Sequence, residues 1–418
     1  MRVGLAFPWR GIRVRDHGSA QRIGLLVDFL RERVDDIRVL SPSPAEAGVD
    51  GNVGYTSYEL TPDEARREHE LRRKVRSAAR LATGSDLAPN EELWLCKHVE
   101  HRFLPTLVSA LQEVVDWSDV ILVSFTFWSR AVARMARRKG IPLIVTTHDV
   151  GSDQVESSAL LRWLTRRLEV GGLAKAKYRF ASSERDQRRF RAHGVTTEIV
   201  LPGVDMSRPL RASASFDGDE PWRQRFGLPL GKAICLFVGT SHGPNVPAVR
   251  AIRGLADRLA GQGRDDILFL VVGDAAPPER RGTFIALGGI EQPALDALYL
   301  MSDVVLVPLQ AGTGTSRKTL EALAFGKPIL GTGMGFRGIP VSSGLNGIVS
   351  DDLASWPELV RKLVADVELR RTLAVEAREL ARVFDYRVVY ERYAEIISAA
   401  GRGQDRPPRL SPCQRGPG

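Results

Sequence analysis

Short apolar runs alternate with helical periodicity along much of the chain. Residues 2–8 predict a first β-strand, and a helix is predicted from about Ser19, because Ile23, Leu26, Val27 and Leu30 fall on one face. Further apolar runs predict strands at 37–40, 119–124 and 142–147. Strands that alternate with helices favour a largely parallel sheet covered by helices, so the predicted fold class is α/β.

The same alternation resumes after a polar break. Residues 211–222 are predicted to be a linker, because most of them are small or polar. New apolar runs at 233–239, 267–273 and 304–307 predict the strands of a second sheet. The chain is therefore predicted to form two domains, at 1–210 and 223–383, followed by a helix at 384–400. The tail at 401–418 contains Pro, Gly and Arg with almost nothing to bury, which predicts disorder.

One strand, turn and helix unit is suited to binding an anion. The apolar run 304–307 is followed by a glycine-rich turn and an amphipathic helix, Gly312-Thr313-Gly314-Thr315-Ser316-Arg317-Lys318-Thr319-Leu320-Glu321. Small residues let backbone amides approach a ligand, and a helix N-terminus favours phosphate. Lys318 adds a cation in the first turn, and Glu321 lies one turn further, where a carboxylate can hold a ribose diol. The pair suits a ribose diphosphate, and the alternative is a solvated surface pair after an ordinary turn.

This block resembles the C-terminal nucleotide-sugar motif of the retaining GT-B glycosyltransferases of group 1, the glycogen-synthase-like family. The matching subtype has a loop of the form G-x-G-T-R-x-K-x-L-E-A. The resemblance implies that Lys318 meets the donor diphosphate and that Glu321 holds the ribose. It assigns the rest of the loop to donor binding as well, namely Gly312, Thr313, Gly314, Thr315, Ser316 and Arg317. Two positions depart from the pattern, since Ser316 stands where the subtype has Arg and Thr313 where the wider family has a Glu at the donor sugar.

Five further positions match the family outside this block. His148 ends a buried strand in a His-Asp pair and corresponds to the family's histidine at the donor sugar; without the resemblance, a structural strand-end histidine is the alternative. Gly18 and Ser19 resemble the glycine-rich loop after the first strand, which faces the acceptor and the donor phosphate. Gly239 and Asn245 resemble elements at the donor phosphates. His148 and Lys318 are the predicted catalytic residues.

The resemblance also implies an architecture and a reaction. The architecture is two Rossmann-like domains facing across a cleft, an N-terminal acceptor-side domain and a C-terminal nucleotide-sugar domain, with the last helix crossing back to the first domain. The reaction moves a sugar from a nucleoside diphosphate sugar to an acceptor hydroxyl with retention, and Lys318 would stabilise the charge of the leaving diphosphate. The donor is a co-substrate, and neither another cofactor nor a metal is expected. The family commonly assembles bacterial cell-surface glycans or glycolipids at the cytoplasmic face.

Two other functions remain open at this point. A sugar-nucleotide epimerase of the same fold needs acidic residues beside the sugar, and Thr313 in place of Glu argues mildly against it. A non-catalytic scaffold that has kept the fold is the second alternative, which the Ser316 departure favours. Donor turnover distinguishes them, because a transferase needs an acceptor, an epimerase does not, and a scaffold turns over no donor.

Composition fits a soluble protein with two domains. The chain has 418 residues, of which 43% are hydrophobic and 26% charged, and it contains no run of 18 apolar residues. The first residues form too short an apolar stretch for a secretory signal. Cys96, Cys235 and Cys413 lack a regular spacing, which predicts a reducing compartment and a cytoplasmic location.

The net charge of +9 indicates anionic partners. Ten Lys or Arg and three acids lie between residues 162 and 191. Basic residues on solvated helices explain this composition without a partner, and peripheral contact with the anionic inner face of a membrane is the alternative. Nucleic acid is not expected as a partner, because no binding motif accompanies the charge.

Residues 42–118 carry the least information. Two charged amphipathic helices are predicted near 62–82 and 91–116. Insertions at this place shape the acceptor site in the family, but the acceptor itself is not predicted. Cys96, His98 and His101 have partial metal-ligand spacing without a fourth partner, so no metal site is predicted.

Overall fold

The computed structural model describes residues 1–13, 15, 17–84, 87–241 and 243–401. The chain forms two compact units, one of residues Met1–Leu201 with the chain from Arg387 onward, the other of residues Pro202–Tyr386. The tail predicted to be disordered lies outside the described residues, apart from Gly401. No helix of the described part has the length and apolar content that crossing a bilayer requires.

The strands follow one another along both units. In chain order they are β1 Arg2–Ala6, β2 Asp36–Leu40, β3 Gly48–Asp50, β4 Val53–Thr56, β5 Val120–Ser124, β6 Leu143–Thr146, β7 Tyr178–Ala181, β8 Glu198–Ile199, β9 Ala233–Val238, β10 Ile267–Val272, β11 Glu279–Arg281, β12 Phe284–Gly288, β13 Val304–Val307, β14 Ile329–Gly331 and β15 Ile348–Val349.

The helices occupy the connections between these strands. They are α1 Gly18–Arg31, α2 Pro62–Thr83, α3 Pro89–Val99, α4 Pro105–Trp117, α5 Ser129–Lys139, α6 Ala159–Leu173, α7 Glu184–Arg191, α8 Arg208–Ala214, α9 Asp219–Phe226, α10 Asn245–Ala260, α11 Gln292–Met301, α12 Arg317–Ala324, α13 Trp356–Ala365, α14 Val367–Arg382, α15 Tyr386–Val389 and α16 Glu391–Gly401.

Each unit is built on one mainly parallel sheet. The first has the strand order β3-β4-β2-β1-β5-β6-β7-β8, and the second has the order β11-β12-β10-β9-β13-β14-β15. In both sheets a short edge strand, β3 or β11, runs antiparallel to its neighbour, and the other pairs are parallel. The central strands β5 and β10 are buried along their whole length, as parallel strands covered by helices must be. The predicted α/β class with two Rossmann-like domains is confirmed.

The last helix belongs to the first unit, as the resemblance implied. Tyr393 of α16 shares a buried hydrogen bond of 2.7 Å between its hydroxyl and Thr146 Oγ1, and its ring contacts Phe180. Tyr390 packs its ring against Phe29 of α1 in the same core. The first unit is therefore completed by chain that follows the whole of the second.

Three segments differ from the sequence-based predictions. The helix predicted at 91–116 is two helices, because Pro105 starts α4 and disfavours helical backbone at the preceding residue. Residues 211–222 are largely helical, as parts of α8 and α9 within the second unit. The hairpin β3–β4 was not predicted; it turns at Gly51, which has φ +61°.

Candidate functional site

The loop after β13 depends on glycine. It leads into the N-terminus of α12 at the carboxyl end of the second sheet, where open α/β sheets place their ligands. Gly312 has φ +140° and Gly314 has φ +62°, values that other residues rarely adopt. A Cβ atom on Gly312 would lie 2.9 Å from the Arg337 guanidinium carbon. Glycine therefore allows both the backbone path and the close approach of a cation.

Arg337 is a cation that the sequence motif does not contain. Its Nε donates to the Thr313 carbonyl at 2.9 Å and its Nη1 to the Met334 carbonyl at 3.1 Å. Ser316, which replaces the arginine of the motif, is buried, and its hydroxyl accepts a hydrogen bond from Thr319 Oγ1 at 2.8 Å. Its side chain thus points into the protein, and the guanidinium beside the loop comes from a residue further along the chain.

Lys318 lies in the first turn of α12, beside the end of β9. Its Nζ donates to Asn245 Oδ1 at 2.5 Å and lies 4.3 Å from the centroid of the Phe237 ring. Asn245 donates in turn to the Thr240 carbonyl at 2.9 Å, which fixes the amide. Burial, together with the charge of Arg337, lowers the pKa of Lys318 to about 7. The hydrogen-bond partner of this lysine among the described residues is a neutral amide, so a bound anion would stabilise its charged form.

Glu321 is 5% exposed and faces a different group of side chains. Its Oε1 lies 3.2 Å from Arg317 Nε and 3.4 Å from Arg208 Nη1. Tyr299 donates a hydrogen bond from its hydroxyl to Oε2 at 3.5 Å. Oε1 has no hydrogen bond within the described residues, although it is ion-paired. The lysine and the glutamate therefore start from one turn of helix but reach separate surroundings.

In the first unit, His148 follows β6 and is half-buried. Its Nε2 lies 2.8 Å from Ser124 Oγ at the end of β5. The ring of Phe125 stacks on the imidazole, with centroids 4.3 Å apart and planes at 8°. Ser182 Oγ donates to the His148 carbonyl at 2.8 Å. Two neighbouring residues of one strand end thus fix the imidazole, one by a hydrogen bond and one by stacking.

Phe125 has a backbone conformation that aromatic residues rarely adopt. Its φ is +66°, in the left-handed region. The rings of Trp9, Trp94 and Phe127 lie 5.7, 6.1 and 5.4 Å from it, and its amide donates to the Thr146 carbonyl at 2.8 Å. Such strain persists where the surroundings over-determine it, commonly at functional sites. The strained residue here is the one that stacks on the imidazole.

The N-terminus of α1 lies near the same histidine. Burial, with the positive charges of Arg22 and His17, holds the pKa of His148 well below its usual value, so the imidazole is neutral at pH 7. The predicted residues Gly18 and Ser19 form the first turn of this helix, and the His17 side chain caps it by accepting from the amide of residue 20 at 3.3 Å.

The candidate metal ligands are core residues. Burial lowers the pKa of His98 to about 3 and that of His101 to about 4, and it raises the pKa of the Cys96 thiol to about 11. Within the described chain, no group of three or more His, Cys, Asp or Glu side chains is placed to hold a metal ion.

The predicted site residues thus form two groups. Gly239, Asn245 and Lys318 meet beside the glycine loop in the second unit, where a Cβ on Gly239 would lie 3.1 Å from the Asn245 side chain. Sequence reasoning missed Arg337, for which the motif gives no signal. It also missed Ser124 and Phe125, although the clustering of aromatic residues after the first and fifth strands could have indicated them.

Two models of known domain families match the chain. Residues 17–202 match the glycosyl transferase 4-like domain, and residues 232–366 match the glycosyl transferases group 1 family. The first match falls almost wholly on the first unit and includes Gly18, Ser19 and His148, and the second falls on the second unit and includes Gly239, Asn245 and residues 312–321.

Curated relatives are similar to both halves. A D-inositol 3-phosphate glycosyltransferase of Salinispora arenicola is 26% identical over 326 residues, which are 67% of this chain and 70% of the relative. One of Salinispora tropica is 25% identical over 417 residues, covering 85% of this chain and 83% of the relative.

Solved structures share the fold at low identity. Sucrose-phosphate synthase of Thermosynechococcus elongatus has a TM-score of 0.71 and 16% identity, covering 96% of this chain and 100% of its own. HepE of Anabaena, solved in complex with UDP and glucose, has a TM-score of 0.68 and 16% identity over the same shares. WaaG, a glycosyltransferase involved in lipopolysaccharide biosynthesis, has a TM-score of 0.64 and 17% identity, covering 95% of this chain and 100% of its own.

Proposed function

The chain is a GT-B glycosyltransferase of the group 1 type, and from this premise we propose that it transfers a sugar from a nucleoside diphosphate sugar to an acceptor hydroxyl with retention of configuration. The proposed setting is the synthesis of cell-surface glycans or glycolipids in the cytoplasm. The observation that carries the proposal is the half-buried Lys318, held by Asn245 beside the glycine loop. A desolvated ammonium with a neutral partner is suited to an anionic ligand.

The diphosphate would lie against the loop and the first turn of α12. The backbone amides of that turn point toward the helix N-terminus, where they and the helix dipole stabilise negative charge. Lys318 and Arg337 add two cations beside the loop. Thr315 Oγ1 is buried without a hydrogen-bond partner among the described residues and can donate to a phosphate oxygen. Arg337 thereby supplies the cation that Ser316 lacks.

In the proposed reaction, the bond between the anomeric carbon and the diphosphate oxygen breaks, and the acceptor oxygen forms a bond to the same carbon. The acceptor proton passes to an oxygen of the departing diphosphate, and attack comes from the face that the diphosphate leaves. Charge develops on the leaving group, so fixed cations and amides lower the barrier without an acid from the protein. A neutral His148 would hydrogen-bond the donor sugar.

Glu321 would hold the ribose. Its Oε1 lacks a hydrogen bond within the described chain, and a ribose hydroxyl can donate to it. Arg208 and Arg317 pair with the carboxylate and so orient it. The base and the sugar of the donor are left to experiment.

Calorimetry with UDP, GDP, ADP and dTDP tests this site. We expect one nucleotide to bind clearly, and we expect Lys318→Ala, Glu321→Ala and Arg337→Ala each to weaken it by about 1–3 kcal/mol, the usual cost of losing a charged hydrogen-bond partner. Lys362→Ala, which removes an exposed lysine of α13, is the matched control and should bind as wild type does. If no nucleotide binds, or if all variants bind equally, the site assignment is wrong and a non-catalytic scaffold becomes the favoured function.

Turnover then separates transfer from epimerisation. Nucleotide sugars that carry the bound nucleotide are incubated with the protein, first alone and then with acceptors. The acceptors include inositol phosphate, because the curated relatives are D-inositol 3-phosphate glycosyltransferases. A new glycoside formed with an acceptor supports the proposal, and its anomeric configuration tests retention. An isomerised nucleotide sugar without an acceptor would establish the epimerase instead.

A further inference from the structure

The outer face of α6 in the first unit is apolar. Leu160, Trp163 and Leu164 are 53, 53 and 38% exposed, and their i, i+3, i+4 spacing places them on one side of the helix. The opposite side, with Thr165 and Glu169, is buried. A helix that already buries one face against its own unit therefore presents a second apolar face outward, which a solvated helix does not need.

Four arginines surround this face. Arg167 lies over the Trp163 ring at 5.5 Å, and Arg130 of α5 donates to the Arg167 carbonyl at 3.1 Å. Arg102 and Arg134 are exposed and close enough for their charges to act on the buried His101, as does that of Arg130. Phe103, which follows Arg102, is 43% exposed. Basic and apolar side chains thus share one surface, which we call the α6 surface: Arg102, Phe103, Arg130, Arg134, Leu160, Trp163, Leu164 and Arg167.

No carboxylate of the described residues neutralises the positive charge of this surface. None of the four arginines forms a salt bridge within the described part of the chain. Burial lowers the pKa of Arg130, and the charges of Arg102 and Arg167 lower it further. Arginines that repel one another without a carboxylate between them favour an external anion.

We propose that the α6 surface binds an anionic membrane, with Trp163, Leu160 and Leu164 inserted among the headgroups and the arginines paired with lipid phosphates. Tryptophan and leucine on a helix that lies along the interface, beside arginines, are the features of peripheral membrane helices. Nucleic acid fits less well, because exposed leucines have no role against a phosphodiester backbone. The inference does not depend on glycosyl transfer, since vesicle binding is measured without donor.

Vesicle flotation of the full chain tests this surface. Vesicles of phosphatidylcholine alone are compared with vesicles that also contain phosphatidylglycerol, at low and at high salt. We expect binding to the anionic vesicles that decreases with salt, because the arginines act through screened charge. Trp163→Ser should weaken the partition coefficient about tenfold through lost apolar burial. Arg102→Gln with Arg134→Gln should weaken it about 25-fold, from roughly fivefold for each cation.

Matched controls lie on α2 of the same unit. Leu81→Ser removes a leucine that is 90% exposed, and Arg67→Gln with Arg73→Gln removes two exposed arginines. These variants should float as wild type does. If they lose binding as strongly as the α6 variants, the attraction comes from the net charge and the proposal is wrong. It is also wrong if wild type does not float, or if the α6 variants lose binding to a DNA oligonucleotide but still float.

Discussion

The two candidate sites occupy the same kind of position, the carboxyl ends of parallel strands, but they are built from different side chains. The site of the second unit consists of glycine backbone and charges, with Lys318 and Arg337 beside the loop. The site of the first unit consists of rings and a strained residue, with His148 stacked on Phe125. The first arrangement attracts an anion, and the second orients a neutral group. The proposed function assigns the leaving diphosphate to the site of the second unit and the donor sugar to His148 of the first.

The largest expected effect is on the site of the second unit with Lys318 and Arg337, here called the charged site. Lys318→Ala should reduce the rate constant of transfer about 10²- to 10³-fold, because it removes a fixed cation from the charge that develops on the diphosphate. Steady-state transfer assays measure this, with the donor identified by calorimetry. Lys362→Ala should retain full activity. Wild-type activity in Lys318→Ala would contradict the assignment of the leaving diphosphate to this site.

A smaller effect is expected at the site of the first unit with His148 and Phe125, here called the aromatic site. His148→Ala should reduce kcat/KM about 10- to 100-fold, as expected for a lost hydrogen bond to the sugar. Nucleoside diphosphate affinity should stay unchanged, because the nucleotide contacts assigned above lie in the other unit. Transfer assays measure the loss of kcat/KM, and calorimetry on the same preparation measures the nucleotide affinity. A parallel loss of nucleotide affinity would contradict the division of roles.

The pH dependence of nucleotide binding tests the charged site alone. Lys318 has a pKa of about 7 in the free protein, and a diphosphate raises it by favouring the ammonium. Below pH 7 the lysine is charged before and after binding; above pH 7 binding must take up a proton. Since the diphosphate is already fully ionised there, affinity should fall about tenfold between pH 7.5 and 8.5.

Two controls accompany that titration. Lys318→Gln should bind weakly with little pH dependence over the same range. His148→Ala should keep the wild-type pH dependence, since its imidazole is neutral throughout. An affinity that does not change with pH in wild type would show that the ammonium is not coupled to the ligand.

The smallest effect is expected from the support of the imidazole. Ser124→Ala removes the hydrogen bond to His148 Nε2 and should lower kcat/KM about fivefold, corresponding to roughly 1 kcal/mol. Ser124→Thr keeps the hydroxyl and should restore most of the activity. A merely structural role would instead lower the melting temperature, which circular dichroism detects.

The charged site was easier to predict than the aromatic one. The glycine turn, Lys318 and the helix that follows are contiguous, so local spacing and dipole arguments apply to them directly. Arg337 lies beyond the next strand and reaches the loop through tertiary packing, which no local pattern encodes. The aromatic site draws Trp9, Trp94 and Phe125 from three separate segments.

The fold was predicted in outline because its central strands, like the glycine turn, are contiguous in the sequence. Buried parallel strands are continuous apolar runs, and these predicted the central strands of both sheets. The break before Pro105 follows from proline geometry and could have been predicted, whereas the helices around 211–222 were hidden by small residues that suit both helix and loop. The α6 surface comes from two helices and a turn, so composition indicated its charge but not its place.

The interrupted first unit has a consequence for synthesis of the chain on the ribosome. Residues 202–386 must be made before Tyr390 and Tyr393 emerge, a delay of roughly ten to forty seconds at about 5–20 residues per second. During that time the surfaces of Phe29 and Phe180 that Tyr390 and Tyr393 later cover remain open to water. The nascent N-terminal half is therefore the part exposed to chaperones, while the continuous second unit can fold as soon as it leaves the exit tunnel.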